Sequence, residues 1–338
     1  MSKITYFHRN PQDGFSMLKV SETYINELKK TEDIEVFFAP HPWPLKPIGT
    51  IKNIWFVFKN RNKQGINHIT GDIHLCLLAL LGCKTVLTIH DLRSLEGIKN
   101  SIKRKIAYYL FYKLALRIPK KIVCISETTK NDFHSMIKRK DDAIVIFNAV
   151  DPMFGFVPKI FNQEMPIILQ IGTGWKKNHK NLFKALEGIT CKLRIIENPL
   201  NKLDDEDYSL LNEMKINYIV LTCLSDKEIF DEYVNCDIVS FCSIAEGFGM
   251  PIVEANAVGR CVITSNILPM NEIAANAACL VNPYDINDMQ NGFRKLIEDY
   301  AYRKELIDNG RKNIARFQAK DVANQYIKLY NDLLNENN

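Results

Sequence analysis

The sequence predicts an α/β protein made of two doubly wound domains, each a parallel sheet covered by helices on both faces. Short apolar runs alternate with segments whose apolar residues have helical spacing, which is the pattern of strands and their covering helices. The alternation occurs in two sets along the chain. The segment between the sets, residues 151–165, is rich in Pro and Gly and lacks a clear period, as expected for a linker.

The strands are predicted from the apolar runs. In the first set these are residues 4–7, 34–39, 67–70, 84–89, 121–126 and 143–147. In the second set they are residues 166–172, 192–197, 218–223, 236–241, 261–265 and 279–282. Most are separated by helical segments such as "NLFKALEGI" at 181–189. Strands that alternate with helices pair in parallel and are buried on both faces.

Two doubly wound sheets that face each other form a cleft at the carboxyl ends of their strands, where such sheets bind ligands. We expect residues 1–158 to form the first domain and residues 159–316 the second. Residues 317–338 are predicted to form a helix that packs back across the domain junction. Its apolar positions are Val322, Tyr326, Leu329 and Leu333.

The composition is that of a folded cytosolic protein. Hydrophobic residues make up 46% of the 338, and the net charge of +5 is too small to indicate nucleic-acid binding. No signal peptide is predicted, and the longest apolar run, residues 75–82, is far below the roughly 18–20 residues of a membrane span. The nine cysteines include no Cys-x-x-Cys pair, which favours core thiols over disulfides or a metal site. We expect a cytoplasmic location and no nucleic-acid partner.

The stretch "EGFGMPIVE", residues 246–254, places two glutamates around a Gly-Phe-Gly turn. Pro251 suits the first turn of a helix and Gly259 suits its end, so a helix is predicted from about Met250 to Val258. The turn presents backbone N–H groups at the N-terminus of this helix, an arrangement that binds anions without any side chain. Its glycines allow a ligand to approach the main chain closely.

Glu254 is the only charged residue of that helix, which is otherwise apolar nearly all round. A buried carboxylate is costly unless strong hydrogen bonds satisfy it. A pair of ribose hydroxyls would supply them, and a salt bridge to a nearby Lys or Arg is the alternative. Glu246, before the turn, is expected to accept hydrogen bonds from sugar hydroxyls.

Residues 243–274, which contain this stretch, resemble the E-x7-E segment of glycosyltransferase family 4, the glycosyl transferases group 1. Other segments resemble the family in the family's own order, so the resemblance extends along most of the chain. They are residues 68–72, 88–92, 123–133, 147–154, 168–182 and 224–241. The resemblance implies the GT-B fold, two Rossmann-like domains facing across a cleft, and a retaining glycosyltransferase.

The resemblance also implies a donor site in the second domain. In the family the first glutamate contacts the donor sugar and the second binds the ribose, roles that fall on Glu246 and Glu254. A cation pair, commonly Arg and a later Lys, binds the diphosphate; Lys180 matches the lysine, but no Arg stands in the earlier place. Either Lys176 or Lys177 would then act as a point charge instead of a bidentate fork. The remaining donor residues are Gly172, Thr173, Gly247, Phe248, Gly249 and Met250, with the base expected near Cys223 and Leu224.

The catalytic residues implied by the resemblance are His90, Lys180 and Glu246. His90 ends a strand of the first domain and lies beside the donor sugar in the family. The first strand-to-helix loop has only one glycine here, whereas family members usually carry a richer glycine turn. The acceptor side is assigned to Gly14, Phe15, His68, Asp72 and Asp91.

The implied reaction breaks the bond between the anomeric carbon of the sugar and a nucleotide diphosphate. Lys180, a helper lysine and helix N-termini would stabilise the charge that develops on the leaving group. Retention is expected through front-face attack by the acceptor hydroxyl, assisted by the departing phosphate. The acidic run "DDED" at 204–207 is expected in a solvated polar loop. We therefore expect no metal and no other cofactor.

Residues 99–121 carry eight Lys or Arg and no acid, with Ile102, Ile106, Leu110 and Leu114 on one side. A basic amphipathic helix of this kind can lie on an anionic membrane surface. The alternative is a domain helix that packs its apolar side onto the sheet. The first option would add a peripheral contact with the inner face of the membrane.

The predicted function is transfer of a sugar from a UDP- or GDP-sugar to a glycan or lipid-linked acceptor in surface polysaccharide or lipopolysaccharide synthesis. Two alternatives remain open at the level of sequence. One is a GT-B sugar-nucleotide epimerase, which needs acid and base residues around C2 of the sugar. The other is a nucleotide-sugar-binding scaffold subunit without turnover, which the missing arginine favours and the two-glutamate motif opposes.

Overall fold

The computed structural model describes residues 3–13, 16–42, 47–92, 101–137, 139 and 143–336. The chain divides into two compact units. The first comprises residues 1–149 and 318–338, and the second comprises residues 150–317. The chain therefore passes from one unit to the other at two places, and a hydrogen bond from Val150 N to Phe317 O (2.8 Å) joins the two places within the second unit.

The first unit is a six-stranded parallel sheet in the order β2-β1-β3-β4-β5-β6. Its strands are β1 (Ile4–His8), β2 (Ile34–Phe38), β3 (Ile66–Thr70), β4 (Lys84–Ile89), β5 (Lys121–Cys124) and β6 (Ile144–Val145). Its helices are α1 (Ser16–Leu28), α2 (Pro47–Asn60), α3 (Ser101–Tyr108) and α4 (Glu127–Met136). A π-helical segment, Tyr109–Leu114, continues α3, and 3-10 segments cover Pro11–Asp13, His74–Leu80 and Ala115–Arg117.

The second unit is also a six-stranded parallel sheet, in the order β12-β11-β10-β7-β8-β9. Its strands are β7 (Ile167–Ile171), β8 (Lys192–Ile196), β9 (Asn217–Leu221), β10 (Ile238–Phe241), β11 (Cys261–Ser265) and β12 (Cys279–Val281). Its helices are α5 (His179–Ala185), α6 (Asp205–Glu213), α7 (Asp226–Asn235), α8 (Met250–Val258), α9 (Met270–Ala274), α10 (Ile286–Glu298) and α11 (Tyr300–Asn313). Short 3-10 segments cover Trp175–Lys177 and Ile314–Phe317.

All twelve predicted strands are present, and the two sheets give the predicted doubly wound α/β class. Each strand contributes side chains to the core on both faces of its sheet, because successive side chains point to opposite faces. In β3, for example, Ile66 packs into the core on one face of the first sheet and Ile69 into the core on the other.

The C-terminal helix α12, Ala319–Asn335, belongs to the first unit. The Tyr330 hydroxyl lies 2.7 Å from His68 Nδ1 of β3 and hydrogen-bonds to the Tyr6 hydroxyl of β1. The Lys84 ammonium donates to Leu334 O (2.8 Å). Because these tyrosines are completely enclosed, α12 is a structural layer of this unit. The four apolar positions read from the sequence, Val322, Tyr326, Leu329 and Leu333, are buried in this core.

The acidic run 204–207 differs from its predicted form. Instead of a polar loop it starts helix α6, with Asp204 as the N-cap. The Asp204 carboxylate accepts from Asp207 N (2.9 Å), and the Asp207 carboxylate accepts from Asp204 N (3.1 Å). Acids are favoured at the N-terminus of a helix because they satisfy its unpaired N–H groups and oppose its dipole. In the part of the chain that the structure describes, no helix is both long and apolar enough to span a membrane.

Candidate active site

The second sheet has its topological switch point between β7 and β10, which are neighbours although their following helices lead to opposite ends of the sheet. Doubly wound sheets bind ligands in the crevice that such a point opens at the carboxyl ends of the strands. The loops that follow the two strands are joined here by a hydrogen bond from Ile244 N to Lys176 O (2.9 Å). Asn178 Nδ2 adds a bond to Cys242 O (3.1 Å).

An ion pair lies at this switch point. Lys177 Nζ donates to Glu246 Oε1 at 2.7 Å, and both side chains are half-buried. The Lys177 ammonium also lies 4.7 Å from the centre of the Phe241 ring. Gly172 leaves room for this lysine: its φ is +81°, and a Cβ there would meet Lys177 Cε at 3.1 Å. The sequence named both residues as donor-site candidates, with Lys176 and Lys177 as equal choices, but it did not predict that Lys177 and Glu246 form a pair.

The glycine turn leads into helix α8, which begins at Met250 as predicted. Gly249 has φ +121°, which a residue with a Cβ rarely adopts. The N-cap Gly249 has no side chain that could cap this helix. Pro251 has no N–H, and Ile252 N donates to Gly249 O (3.0 Å), so the N–H groups that a ligand could use here are those of the glycine turn and of Met250. The Phe248 side chain is buried and packs edge-on against Phe317, with ring centres 5.9 Å apart. Phe248 can therefore contact a ligand only through its backbone. The same is true of Gly247 and Gly249, which have no side chain.

Glu254, in the second turn of α8, is half-buried and accepts a hydrogen bond from the Tyr233 hydroxyl at 2.5 Å. Tyr233 of helix α7 is completely enclosed. Burial raises the pKa of Tyr233 well above its ordinary value, and the Glu254 charge raises it further, so the proton stays on the tyrosine. The sequence offered ribose or a Lys or Arg as the partner and missed this tyrosine. A buried polar residue in a neighbouring helix leaves no signal in a single sequence.

The contacts of Lys180 are with two acidic residues of helix α6 and are separate from the Lys177–Glu246 pair. Its ammonium donates to the exposed Glu206 at 2.8 Å and lies 3.8 Å from the Asp207 carboxylate. The hydrogen bond to Glu206 raises the pKa of Lys180. Lys180 and Asp207 line a cavity of about 430 Å³, and Trp175 is part of the same lining. His179 Nε2 contacts Asp207 at 2.8 Å, a contact that the sequence did not reveal.

Four further predicted donor residues have distinct surroundings. Thr173 is buried, accepts from Asn198 N at 3.1 Å and donates to Asn201 O, so it holds the loop in place. The Lys176 ammonium lies 5.5 Å from the Trp175 ring centre. Cys223 is exposed with φ +53°, and Leu224 follows it. These last two come after β9, two strands away from β7 in the sheet.

In the first unit, His90 follows β4 at the carboxyl edge of the sheet and is buried. Its Nε2 has no hydrogen-bond partner among the described residues. Burial lowers the pKa of His90 to about 4, against a smaller opposing effect of Asp91. At neutral pH this imidazole is therefore uncharged. Asp72 follows β3 at the same edge, 4.0 Å from the Arg9 guanidinium.

His68 is enclosed in the sheet, with Nδ1 beside the Tyr330 hydroxyl and Nε2 beside Thr88 Oγ1 (2.8 Å). It therefore braces the first unit from inside and does not line an open surface. His8, which the sequence reading missed, ends β1 with Nδ1 2.7 Å from Thr70 Oγ1. A polar residue at the carboxyl end of the first strand was the available signal. Gly14 and Phe15, also predicted for the acceptor side, lie outside the described residues.

Two family models match the chain in succession. The model described as Glycosyltransferase Family 4 matches residues 20–154, and that described as Glycosyl transferases group 1 matches residues 156–313. The second match covers all six strands of the second sheet, and the first covers strands β2 to β6 of the first sheet. The chain belongs to glycosyltransferase family 4. The resemblance inferred from the sequence is thus confirmed.

Full-length relatives of this family 4 glycosyltransferase have modest identity. An uncharacterised glycosyltransferase of Methanocaldococcus jannaschii is 26% identical, with 94% of this chain and 90% of the relative covered. The N,N'-diacetylbacillosaminyl-diphospho-undecaprenol alpha-1,3-N-acetylgalactosaminyltransferase of Campylobacter jejuni is 20% identical, with 86% and 83% covered.

Among solved structures, Anabaena HepE in complex with UDP-glucose superposes with a TM-score of 0.76 at 16% identity. The match covers 98% of this chain and 100% of the HepE chain. Identity this low shows the fold alone. This glycosyltransferase accordingly has the GT-B fold, with two Rossmann-like domains.

Proposed function

We propose that this glycosyltransferase moves a sugar from a nucleoside-diphosphate donor to a glycan or lipid-linked acceptor in surface polysaccharide or lipopolysaccharide synthesis, with retention and without a metal. The observation that carries the proposal is the group at the β7–β10 switch point. A half-buried lysine, a glutamate and the start of helix α8, whose N-cap is a glycine, meet there. These are the groups that a diphosphate and a sugar require.

The donor diphosphate would lie against the N-terminus of α8, where backbone N–H groups and the helix dipole favour negative charge. Lys177 supplies the fixed positive charge, since Glu246 and the Phe241 ring hold its ammonium in one place. Of the two lysines that the sequence left open, Lys177 is better placed to bind a phosphate at the switch point, because the Lys176 ammonium lies beside the Trp175 ring instead. Its attraction to Glu246 also turns the Glu246 carboxylate toward the switch point, where sugar hydroxyls would donate to it.

Lys180 is assigned as the second cation of the diphosphate site. To reach a phosphate it must leave Glu206, whose exposed carboxylate is screened by water, and move away from the buried Asp207 carboxylate, 3.8 Å from its ammonium. A divalent phosphate also attracts an ammonium more strongly than one exposed carboxylate does. Lys180 would thus move on donor binding, whereas Lys177 is already in place.

Glu254 would bind the ribose hydroxyls. Tyr233 occupies one carboxylate oxygen, Oε2, and holds the side chain in a single orientation. A carboxylate has about four acceptor sites, so ribose hydroxyls can bind without displacing the tyrosine.

Cleavage leaves negative charge on the departing diphosphate while the anomeric carbon becomes oxocarbenium-like. Lys177, Lys180 and the α8 N–H groups would stabilise that charge, which is the main catalytic contribution in this proposal. The departing phosphate would take the proton from the acceptor hydroxyl during front-face attack. His90, neutral because its pKa is lowered, would hydrogen-bond to a sugar hydroxyl without adding a charge.

The acceptor is proposed to be lipid-linked, as the printed name of the Campylobacter relative states for that enzyme. The basic segment 99–121 supports a peripheral membrane location. Ile106 is exposed and Leu110 and Leu114 are partly exposed, by 37% and 39%, whereas Tyr112 of the same segment is buried. These three residues of the predicted apolar side are thus in part accessible to lipid. The Ile102 side chain and residues 99 and 100 lie outside what the structure describes.

The test is nucleotide release from a panel of UDP-, GDP- and ADP-sugars, with and without an undecaprenyl-diphosphate-linked sugar as acceptor. We expect release that depends on the acceptor, persists in the presence of a chelator and gives a product with the donor's anomeric configuration. Conversion of the donor to an epimer would indicate an epimerase. Donor binding without release would indicate a scaffold subunit, and either outcome would contradict the proposal.

A further inference from the structure

Helix α2 of the first unit has an apolar face that is turned to solvent. Four large side chains are exposed, by 69% for Ile48, 66% for Ile51, 55% for Trp55 and 43% for Phe58. Their spacing of three, four and three residues places them on one side of the helix, and we call them the α2 stripe. The opposite side of the helix, through Val57, packs into the core of the unit.

The α2 stripe is one surface and not a set of scattered residues. The rings of Trp55 and Phe58 are stacked, with centres 5.6 Å apart and planes at 10°. A surface helix of a soluble protein normally presents polar residues to water. Contiguous exposed apolar side chains instead mark a surface that binds another apolar body.

The charge around the stripe is entirely positive within its own segment. Residues 47–63 contain Lys52, Lys59, Arg61 and Lys63 and no acid. Lys59 Nζ lies 5.0 Å from the centre of the Trp55 ring, and Arg61 Cζ lies 3.5 Å from that of Phe58. Long basic side chains that run along aromatic rings can bury their stems and keep their charges at a polar boundary.

The carboxyl end of the helix adds a cationic cavity of about 720 Å³. The basic residues that line it are Lys3, Lys59, Arg61 and Lys63. The one acid in its lining, Glu35, is already paired with Lys3 at 2.8 Å. An anionic headgroup would thus meet a surplus of positive charge beside the apolar stripe.

We propose that the α2 stripe enters the surface of an anionic membrane, with the cations at the end of α2 contacting lipid phosphates. Apolar and aromatic residues beside basic ones are the composition of interfacial helices. A second copy of this chain is a poorer occupant, because pairing two stripes would bring like charges together. The inference does not require glycosyl transfer and rests on residues other than segment 99–121. Both α2 and the π-helical part of that segment pack on the 3-10 segment His74–Leu80, so they share one layer of the unit.

The test uses Trp55 as a depth probe in a Trp43→Phe/Trp175→Phe background, in which it is the remaining tryptophan. The protein is mixed with phosphatidylcholine vesicles with or without phosphatidylglycerol, some carrying brominated acyl chains. We expect the Trp55 emission to shift to shorter wavelength and to be quenched by the brominated lipid on the anionic vesicles only. Added salt should weaken this binding.

Paired variants identify the surface. Ile48→Ser and Ile51→Ser should each weaken vesicle binding on the order of tenfold, since an aliphatic side chain no longer enters the apolar region. Ile160→Ser removes a still more exposed isoleucine, in the second unit, and should leave vesicle binding unchanged. Lys105→Gln/Lys113→Gln, in the basic segment 99–121, should weaken vesicle binding but leave Trp55 of the bound protein quenched.

Three results would overturn the inference. These are vesicle binding with Trp55 unquenched, unchanged binding by both serine variants, and a Trp55 shift that follows protein concentration without lipid, which would indicate self-association. Donor turnover measured in parallel reports on the proposed function, so failure of one is distinguishable from failure of the other.

Discussion

The proposed roles of Lys177 and Glu246 depend on where the fold places their side chains, which the sequence alone does not specify. Lys176 and Lys177 are adjacent, carry the same charge and fall in the same 3-10 turn. Only the fold directs one of them to Glu246 and Phe241 and the other toward Trp175. The glutamate motif itself was predictable, because two acids beside a glycine turn stand out in an apolar segment.

Lys177→Ala should lower kcat/KM for the nucleotide sugar about 10²–10³-fold, because it removes a charge that is already positioned against the leaving diphosphate. Lys176→Ala is the matched control and should reduce kcat/KM less than about tenfold, because its ammonium lies beside the Trp175 ring and not at Glu246 and Phe241. Steady-state kinetics with a saturating acceptor measures both. Equal losses in the two variants would show that Lys177 has no special place in the site.

At the level of elements, the twelve strands were predictable because parallel strands buried on both faces appear as short apolar runs. The start of α6 was not, since an N-cap and a first turn made of acids look like a polar loop. The exposed face of α2 was also missed. Apolar spacing indicates a helix but does not reveal which of its faces the rest of the unit covers.

The strands and loops of the first sheet carry histidines that are neutral in the folded state. Burial lowers the pKa of His8, His74 and His90 to about 4, and that of His68 well below its ordinary value. An unfolded histidine has a pKa near 6.5. Below about pH 6.5 the unfolded chain therefore binds protons that the folded chain does not. Stability is lost as the pH falls from about 6.5 toward 4.

We expect the first unit to become less resistant to urea between pH 7 and pH 5, by up to about 1.4 kcal/mol per pH unit for each histidine. His74→Phe removes one such group outside the proposed site and should make the pH dependence shallower, although Asp91 offsets part of the effect of His74. Urea unfolding of both proteins at several pH values measures the difference. An identical slope for the variant would show that His74 is not neutral in the fold.

At the scale of the whole molecule, each unit is a doubly wound sheet with its own switch point, between β1 and β3 in the first and between β7 and β10 in the second. Two family models together match residues 20–154 and 156–313, and a solved GT-B structure matches 98% of the chain. The proposal therefore assigns a different part of the reaction to each unit. The second unit holds the groups that suit a nucleotide diphosphate, and the first holds neutral histidines suited to hydroxyl groups.

The central claim is tested most directly by a crystal structure of this chain with a bound nucleoside diphosphate. The account predicts diphosphate oxygens at hydrogen-bond distance from backbone N–H groups of residues 247–250, where α8 begins, and about 3 Å from Lys177 Nζ. It also predicts that ribose hydroxyls donate to Glu254, whose bond from Tyr233 persists. A nucleotide held elsewhere on the chain, with Lys177 and the start of α8 untouched, would contradict it.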